Sequence, residues 1–376
     1  MSSLGEQLDH LDPDLRALLS KHGFDRERFL RLAERVRSGQ PARNRVEGTV
    51  VPPADGDVSS LPEPGSEDHG ALERAGLDLL AGGKCALVVL AGGMATRMGG
   101  VIKALVEALP GKTFLDLRLA EMDALQKRSG RRAPLWLMTS HATEAGIARA
   151  LGSRVDGKTL ALFSQHLSIR LTPQGDVFLD GSGRPSEHAP GHGDLPDALR
   201  GSGLLTDFVA NGGRLVAMAN LDNLGATLDP AVLGWHLAHG CPVSCEVVDK
   251  VGSDRGGIPV RWNDRPVVLE EFRLPEDFDP TGVRVFNTNT FVFDAKALLD
   301  LDMDWTFFTV TKQVGGKPAV QFERLVGEVT SALETRFLRV PREGTASRFL
   351  PVKDQAELES RRPEIEAICR ARGILS

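Results

Sequence analysis

A glycine-rich loop with two cations follows the first strongly apolar run of the chain. The run "CALVVLAGG" covers residues 85–93, and the loop continues through Arg97, Gly99, Gly100 and Lys103. Glycine lets backbone N–H groups approach an anion closely, and the two cations can neutralise its charge. The pattern predicts a phosphate-binding loop, and a plain turn between a strand and a helix is the alternative.

Two well-known phosphate loops do not match this stretch. The P-loop pattern ends in GKT, which occurs at residues 111–113, but its first glycine would fall at Val106. The dinucleotide fingerprint GxGxxG, started at Gly93, would require glycines where Ala95 and Met98 stand. The loop therefore belongs to neither of these classes.

The loop and the segments after it resemble the uridylyltransferases that make UDP-sugars, namely UTP–glucose-1-phosphate uridylyltransferase and its relative UDP-N-acetylglucosamine pyrophosphorylase. "LAGGMATRMG", then Lys103, then "GKTFLDL" is similar to the family's LxGGxGTxMG, PK and TFLDL. Further matches follow in order as far as residue 353. They are "FSQ" at 163–165, "APGHGDLPDAL" at 189–199, "ANLDNLGATLDP" at 219–230, "DRGG" at 254–257, "VLEE" at 268–271, "FNTNTFVF" at 286–293, "VQFE" at 320–323 and "SRFLPVK" at 347–353.

The resemblance implies a nucleotide site built mostly from loop backbone. Its residues would be Leu90, Ala91, Gly92, Gly93, Gln165, Gly191 and His192. The first four would line the uridine and its ribose, while Gln165 and Gly191 would recognise the uracil edge. His192 would lie beside the uracil, or would only shape the loop.

The resemblance also implies three catalytic cations, Arg97, Lys103 and Lys353. The first two would lie at the UTP phosphates, and Lys353 would act on the α-phosphate and the sugar phosphate from the other side. The chain has 11 lysines against 34 arginines, so a lysine inside a motif is the more informative cation. The alternative for Lys103 is an exposed cation at the start of a helix.

The sugar and the metal are assigned by the same resemblance. Sugar hydroxyls would be bound by neutral amides, a glycine and one carboxylate, namely Asn220, Gly257, Glu270, Asn287 and Asn289. The metal candidate is Asp222, because a carboxylate at the end of a strand suits Mg²⁺, which takes few protein ligands and otherwise uses water and phosphate oxygens. The alternative for Asp222 is an Asx turn made by "NLDN".

The implied reaction is attack by a sugar-1-phosphate oxygen on the α-phosphorus of UTP, with release of pyrophosphate. A phosphate monoester, with a second pKa near ~6, is largely dianionic at pH 7 and requires no general base. Cations, Mg²⁺ and a preorganised loop are the expected means of catalysis. The sequence accordingly predicts UDP-glucose formation from UTP and glucose-1-phosphate. The alternatives are N-acetylglucosamine-1-phosphate or galactose-1-phosphate as substrate, and a non-catalytic UDP-sugar-binding protein.

The sequence departs from the family pattern at several positions. Ala95 replaces a loop glycine, which would alter the loop path if that position needs a positive φ. Ile102 replaces the proline before the lysine, the spacing from Gly99 to Lys103 is one residue shorter than in the eukaryotic enzymes, and Thr290 replaces an asparagine. The 23 residues after Lys353 are too few for the family's long C-terminal β-helical extension, so that extension is not expected here.

A second cluster superficially suggests zinc. "HLAHGCPVSC" brings His236, His239, Cys241 and Cys245 within ten residues. Gly240 and the proline after Cys241 indicate the end of a helix, and Cys245 lies within an apolar strand where cysteine packs as a small hydrophobe. Zinc is therefore disfavoured.

The elements that must position these residues are short apolar strands alternating with helices. Strands are predicted at 85–91, 134–140, 160–165, 214–220 and 243–249, and helices around 70–80, 114–128 and 142–151 and after Lys353. This order predicts an α/β fold with a mostly parallel sheet and helices on both faces. The resemblance implies that this is the Rossmann-like nucleotidyltransferase fold of the glycosyltransferase-A-like kind. Ligands of such sheets bind at the carboxyl ends of the strands.

Composition limits the class of protein and its partners. The net charge of −6 argues against nucleic acid as a binding partner. No apolar run approaches the length of a membrane span. The N-terminus lacks the pattern of a signal peptide, and four cysteines form no disulfide framework, so a cytoplasmic protein is expected. A monomer or weak homo-oligomer is the expected state of assembly. Three regions are predicted. Residues 1–68 form two helices and a connector that begins at Gln40, and residues 69–345 form the catalytic domain. Residues 346–376 contain Lys353 of the PVK motif and a terminal helix.

Overall fold

The computed structural model describes residues 3–39, 44–252 and 254–375. The first two residues and the start of the connector predicted from Gln40 lie outside them. The helices within the described residues are α1 Leu4–Asp9, α2 Pro13–Lys21, α3 Arg26–Arg37, α4 Glu67–Ala81, α5 Phe114–Ser129, α6 His141–Leu151, α7 Leu195–Gly201, α8 Leu204–Ala210, α9 Pro230–His239, α10 Ala295–Leu299, α11 Val329–Ala332 and α12 Gln355–Ala371. None of them has the length and hydropathy needed to span a bilayer.

An eight-stranded sheet forms the centre of the molecule. In chain order its strands are β1 Val58–Ser60, β2 Cys85–Leu90, β3 Leu135–Thr139, β4 Leu160–Ser164, β5 Leu215–Asn220, β6 Val243–Asp249, β7 Val285–Asp294 and β8 Thr335–Arg339. Their spatial order is β1-β8-β6-β7-β5-β2-β3-β4. Only β7 runs antiparallel to its neighbours, so the predicted mostly parallel α/β sheet is confirmed.

Both faces of the sheet are buried, because successive residues of its strands enter two different cores. In β2, Leu87 and Val89 pack with α4, α5, α6, α9 and α12, while Ala86 and Val88 pack with α7, α8, α10 and α11. Side chains alternate between the faces of a strand, so a run that is apolar throughout requires a cover on each side. The prediction of helices on both faces is confirmed.

The register of the central strands brings two predicted site segments to one edge. Leu90 at the end of β2 pairs in parallel with Asn220 at the end of β5. The glycine-rich loop and the Asp222 turn consequently leave the sheet side by side. This is the carboxyl edge at which ligands of such sheets bind.

The N-terminal region contains three helices rather than the predicted two. Asp12 accepts a bond from the backbone of Asp14 and Pro13 opens α2, so the chain restarts a helix at a position where the apolar spacing alone suggested continuity. The apolar faces of α1 to α3 form a separate core with Leu167 and Phe322. The described part of the connector adds β1 to the edge of the main sheet.

Two small antiparallel sheets lie beside the main one. Val50–Val51 pairs with Ile258–Trp262, which pairs with Arg265–Leu269, and Phe308–Val314 forms a hairpin with Lys317–Glu323. Two-residue or three-residue strands occur at Met94–Ala95, Val101–Ile102, Glu107–Leu109, Lys112–Thr113, Ser168–Ile169 and Glu187–His188.

Candidate active site

The glycine-rich loop forms a narrow two-stranded ribbon above the end of β2. Met94 and Ala95 pair with Ile102 and Val101, and a single 3₁₀ turn joins them. Ala95 has a φ of −77°, which is ordinary for alanine. The condition under which alanine would alter the loop path, a positive φ at residue 95, is not met, since the positive φ values fall at Gly99 and Gly100 instead.

Two hydroxyls that the sequence motifs did not indicate fix the base of this loop. Ser140 Oγ donates to the carbonyl of Gly92 at 2.8 Å, and Thr143 Oγ1 donates to that of Ala91 at 3.1 Å. Both hydroxyls lie at the start of α6, directly after β3. The polar "SHAT" segment after an apolar strand was the available signal, but spacing alone could not show which loop it would reach.

The predicted uracil-binding residues come together. Gln165 is buried, and its Nε2 donates to the carbonyl of Gly191 at 2.8 Å. A Cβ on Gly92 would lie 2.7 Å from Gln165 Oε1, so these two residues are in direct contact. Gly191 has a φ of +88° and packs against the carbonyl of Arg324, so a side chain there would be strained and would clash. The three positions form one continuous wall.

His192 bonds to a neighbouring backbone segment, as its loop-shaping alternative expects. The backbone N–H of Val326 donates to His192 Nδ1 at 3.1 Å, which requires that nitrogen to be unprotonated. Burial lowers the pKa of His192 to about 4. The ring is therefore neutral near pH 7 and supplies no cation to the site.

Lys103 and Asp222 form an ion pair at the joint end of β2 and β5. Their side chains are 18% and 19% exposed, so Lys103 is not the exposed helix-start cation of the alternative interpretation. The Asp222 carboxylate bonds to Lys103 rather than to its own turn, which argues against a purely Asx-turn role. Arg97, at the tip of the loop, is exposed to solvent.

The donor set around Asp222 suits a metal held chiefly by substrate. No group of three or more acidic, histidine or cysteine side chains able to hold an ion occurs in the described part of the chain. Asp222 provides a single partly exposed carboxylate at a strand end. This arrangement fits Mg²⁺, which binds through one or two carboxylates, phosphate oxygens and water.

The five predicted sugar-binding residues are linked to one another. Asn289 Nδ2 donates to Asn220 Oδ1 at 2.9 Å, and the Asn289 N–H donates to Asn287 Oδ1 at 2.7 Å. The Asn287 N–H donates to the Gly257 carbonyl at 2.8 Å, and Gly257 is packed against Glu270. Burial raises the pKa of Glu270. The residues therefore line one continuous face beside the end of β5 and the start of β7.

Asn289 has an unusual backbone conformation. Its φ of +57° lies in the left-handed region, which asparagine tolerates better than most residues. The Asn287 side chain stabilises this conformation by accepting the Asn289 N–H. The NTN spacing thus turns the Asn289 amide toward Asn220, a role that the sequence pattern did not reveal.

Lys353 lies on a segment anchored to the Asp222 turn. The Leu350 N–H donates to Asn223 Oδ1 at 2.7 Å, and the Lys353 side chain is exposed. Its charge contributes to the state of Asp254. Burial opposes ionisation of that carboxyl, but hydrogen bonds from Arg342 and the Val251 N–H, with the charges of Arg342 and Lys353, lower its pKa below the usual value. Among the described contacts, none joins the Lys353 side chain to Lys103 or Asp222.

The four residues of the zinc alternative are engaged separately. His236 Nδ1 bonds Ser244 Oγ at 2.7 Å, and His239 stacks on Trp235 with ring centroids 3.9 Å apart. Cys241 and Cys245 are buried free thiols. Each side chain therefore has a packing or hydrogen-bonding role of its own.

Comparison with known proteins identifies the family. The family model for UTP–glucose-1-phosphate uridylyltransferase matches residues 28–362. The chain belongs to this family. The resemblance found in the sequence, and with it the prediction of a uridylyltransferase enzyme, is confirmed.

Individual members of the uridylyltransferase family match over much of the chain. UTP–glucose-1-phosphate uridylyltransferase of Astragalus penduliflorus is 28% identical over 94% of this chain and 76% of its own length. The enzyme of the same name from Hordeum vulgare is 30% identical over 73% of this chain and 61% of its own length. The uridine diphosphate N-acetylglucosamine pyrophosphorylase of Trypanosoma brucei has the same fold, with a TM-score of 0.77 at 18% identity over 95% of this chain and 80% of that one.

Proposed function

We propose that this chain transfers the uridylyl group of UTP to glucose-1-phosphate, forming UDP-glucose and pyrophosphate. The observation that carries the proposal is the Lys103–Asp222 pair, which lies at the edge where the loop of residues 90–103 and the wall of Gln165, Gly92 and Gly191 meet. One place thus combines a phosphate loop, a cation, a candidate metal ligand and a polar wall for a base. The family membership supports the same reaction.

The wall formed by Gln165, Gly92 and Gly191 would receive the uracil. Gln165 is already fixed by its bond to Gly191, so little side-chain freedom is lost when a base binds. The hydroxyls of Ser140 and Thr143 hold the loop carbonyls and leave the loop amides for the phosphates. Preorganisation of this kind reduces the free energy needed to arrange the site around the transition state.

In the reaction, an oxygen of the glucose-1-phosphate phosphate forms a bond to the α-phosphorus of UTP. The bond from that phosphorus to the oxygen bridging to the β-phosphate breaks, and pyrophosphate leaves with this oxygen. The attacking phosphate is largely dianionic at pH 7, so no side chain has to remove a proton. The residues therefore act by position and charge.

Lys103, Arg97 and Lys353 would neutralise the phosphates, and Asp222 would hold Mg²⁺. Bound Mg²⁺ would supply charge neutralisation at the phosphate oxygens. In the free protein, Lys103 and Asp222 neutralise each other. Phosphates that compete for the Lys103 ammonium would leave the Asp222 carboxylate available to the metal.

The amides of Asn220, Asn287 and Asn289 suit a neutral polyol, because an amide offers both a donor and an acceptor. Glucose-1-phosphate is favoured by the names of the two curated relatives. N-acetylglucosamine-1-phosphate is the second candidate, because the structural relative from Trypanosoma brucei is named a uridine diphosphate N-acetylglucosamine pyrophosphorylase.

Pyrophosphate release separates these substrates. The protein is incubated with UTP and Mg²⁺ and with glucose-, galactose- or N-acetylglucosamine-1-phosphate, and a reaction without sugar phosphate is the control. Release that is fastest with glucose-1-phosphate supports the proposal. Binding of UTP without release from any of the three would favour a UDP-sugar-binding protein.

The cellular location and the assembly are proposals as well. A cytoplasmic location is supported by four free, buried cysteines. A monomer or a weak homo-oligomer is the expected state, and light scattering over a range of concentrations tests it.

A further inference from the structure

The loop that carries Asp222 requires hydrogen bonds from outside itself. Residues 221–229 connect β5 to α9 and contain no helix or strand. Much of this loop is buried, and a buried carbonyl without a donor is costly. The conformation of Asp222 therefore depends on the groups that bond to these carbonyls.

Arg118, on α5, bonds two carbonyls of this loop and the carbonyl of Asn220, the last residue of the strand before it. It is fully buried, and its Nη2 donates to the carbonyls of Asn220 at 2.8 Å and Asn223 at 2.7 Å. Its Nη1 donates to the carbonyl of Ala226 at 2.9 Å. One guanidinium thus holds the residues on both sides of Asp222.

Glu121 completes the arrangement one turn further along α5. Its Oε2 accepts from Arg118 Nη1 at 2.8 Å, and its Oε1 accepts from the Leu228 N–H at 2.8 Å. The Arg118–Glu121 pair therefore fixes the loop from Asn220 to Leu228.

Two arginines of the C-terminal segment hold the remaining part of the loop. Arg348 Nη2 donates to the Thr227 carbonyl at 3.0 Å, and Arg372 Nη1 donates to the Gly225 carbonyl at 2.8 Å. Neither of these bonds reaches the backbone on either side of Asp222. Arg118 is the arginine that does so.

The geometry of an arginine explains why this residue type occurs here. A buried ion pair contributes little net stability compared with apolar residues of the same size. A guanidinium, however, offers several N–H donors in a rigid plane and can bond several carbonyls at once, which a lysine ammonium cannot do in the same geometry. The arrangement is therefore better explained by control of the loop conformation than by stability.

We propose that Arg118, supported by Glu121, is a positioning residue that holds the Asp222 carboxylate in place for Mg²⁺ and for Lys103. The expected effect on catalysis rests on the proposed function. The statement that Arg118 fixes the position of Asp222 does not depend on it. Metal binding tests that statement separately.

The experiment compares Arg118→Lys with Arg128→Lys, a control on the same helix whose arginine forms a surface pair with Glu73. Pyrophosphate release gives kcat and the KM for glucose-1-phosphate. Water-proton relaxation with Mn²⁺ and UTP reports metal bound in the ternary complex with the protein. Amide hydrogen exchange reports opening of residues 221–228.

Arg118→Lys is expected to weaken Mn²⁺ binding and to lower kcat by about 10- to 100-fold each, as is usual for residues that orient a metal ligand. The KM for glucose-1-phosphate should change less than about threefold, and exchange should accelerate in the loop more than in β2. Arg128→Lys should match the wild type. Should Arg118→Lys fail to fold, Glu121→Gln, which keeps the arginine, carries the same prediction for Mn²⁺ affinity and loop exchange.

Unchanged Mn²⁺ affinity in Arg118→Lys, or equal losses in both lysine variants, would overturn the inference. If the wild type releases no pyrophosphate with any sugar phosphate, the proposed function fails. The Mn²⁺ and exchange measurements then still decide whether Arg118 positions Asp222.

Discussion

The ammonium of Lys103 bonds to the carboxylate of Asp222, a residue 119 positions further along the chain. The pair joins the loop after β2 to the turn after β5, two strands that are neighbours in the sheet. It places the cation predicted to bind phosphate and the carboxylate predicted to bind the metal within one contact. The pair also neutralises both charges in the free protein.

Asp222→Asn should lower turnover by about 100-fold or more and remove most of its dependence on Mg²⁺, because the amide is a poor ligand for this ion. Initial rates over a range of Mg²⁺ concentrations measure this effect. Asp300→Asn, which breaks an exposed pair with Lys296, is the control and should behave as wild type. Wild-type Mg²⁺ dependence in Asp222→Asn would show that the metal binds elsewhere.

Lys353→Ala should reduce kcat by about 100-fold with little change in the KM for UTP, because we expect its charge to act mainly on the transition state. Steady-state kinetics at saturating glucose-1-phosphate provide the test, with exposed Lys317→Ala as the control. A parallel loss in kcat and UTP affinity would instead indicate a ground-state role.

Gly92→Ala should raise the KM for UTP about tenfold, since the added Cβ would lie 2.7 Å from Gln165 Oε1 and displace the side chain predicted to bind uracil. A Cβ added at Gly181 would meet open space, and the φ of Gly181 is not positive, so Gly181→Ala is a matched control with no expected effect. Isothermal calorimetry with UTP measures both variants. Equal UTP affinity in the two would contradict the assignment of the Gln165 wall.

His236 should make the fold less stable in acid. Burial lowers its folded pKa to about 4, below the usual histidine value of 6.5. A depressed histidine pKa means that the unfolded chain binds the proton more readily than the folded chain. The contribution of neutral His236 to the free energy of unfolding is therefore present above pH 6.5 and is lost as the pH falls toward 4. Between pH 7 and pH 5 the loss from one such group is about 1–2 kcal/mol.

His236→Asn isolates this contribution, because the asparagine Oδ1 can take the place of Nδ1 beside Ser244. Urea titrations at pH 7 and pH 5 give the free energy of unfolding of both proteins. The decrease from pH 7 to pH 5 should be smaller in the variant than in the wild type, by about 1–2 kcal/mol. The same decrease in both proteins would show that His236 does not titrate in this range.

Much of the fold could be predicted because the buried strands are short, continuous apolar runs. Residues 85–91 and 243–249 were recognised from their side chains alone, and the structure begins strands at Cys85 and Val243. The edge strand β1 was not predicted, since three half-buried or exposed residues after a Pro- and Gly-rich stretch carry no apolar pattern. The break between α1 and α2 was missed because Pro13 falls within a regular apolar spacing.

The site was predicted as a set of residues rather than as a network. Motif order identified Gln165, Asp222 and Asn289, but not the contacts that orient them. The bonds from Ser140 to Gly92 and from Arg118 to the Asp222 loop join distant parts of the chain, so no local spacing encodes them. The φ of Ala95 could not be predicted either, because φ at one loop position depends on where the ribbon turns.

Product analysis with UTP labelled at the α-phosphate tests the central claim most directly. With Mg²⁺ and glucose-1-phosphate, we predict that the label appears in UDP-glucose, with one pyrophosphate released for each molecule formed and about 100-fold less product in Asp222→Asn. Label that stays in UTP, or wild-type product formation by Asp222→Asn, would contradict the proposed reaction.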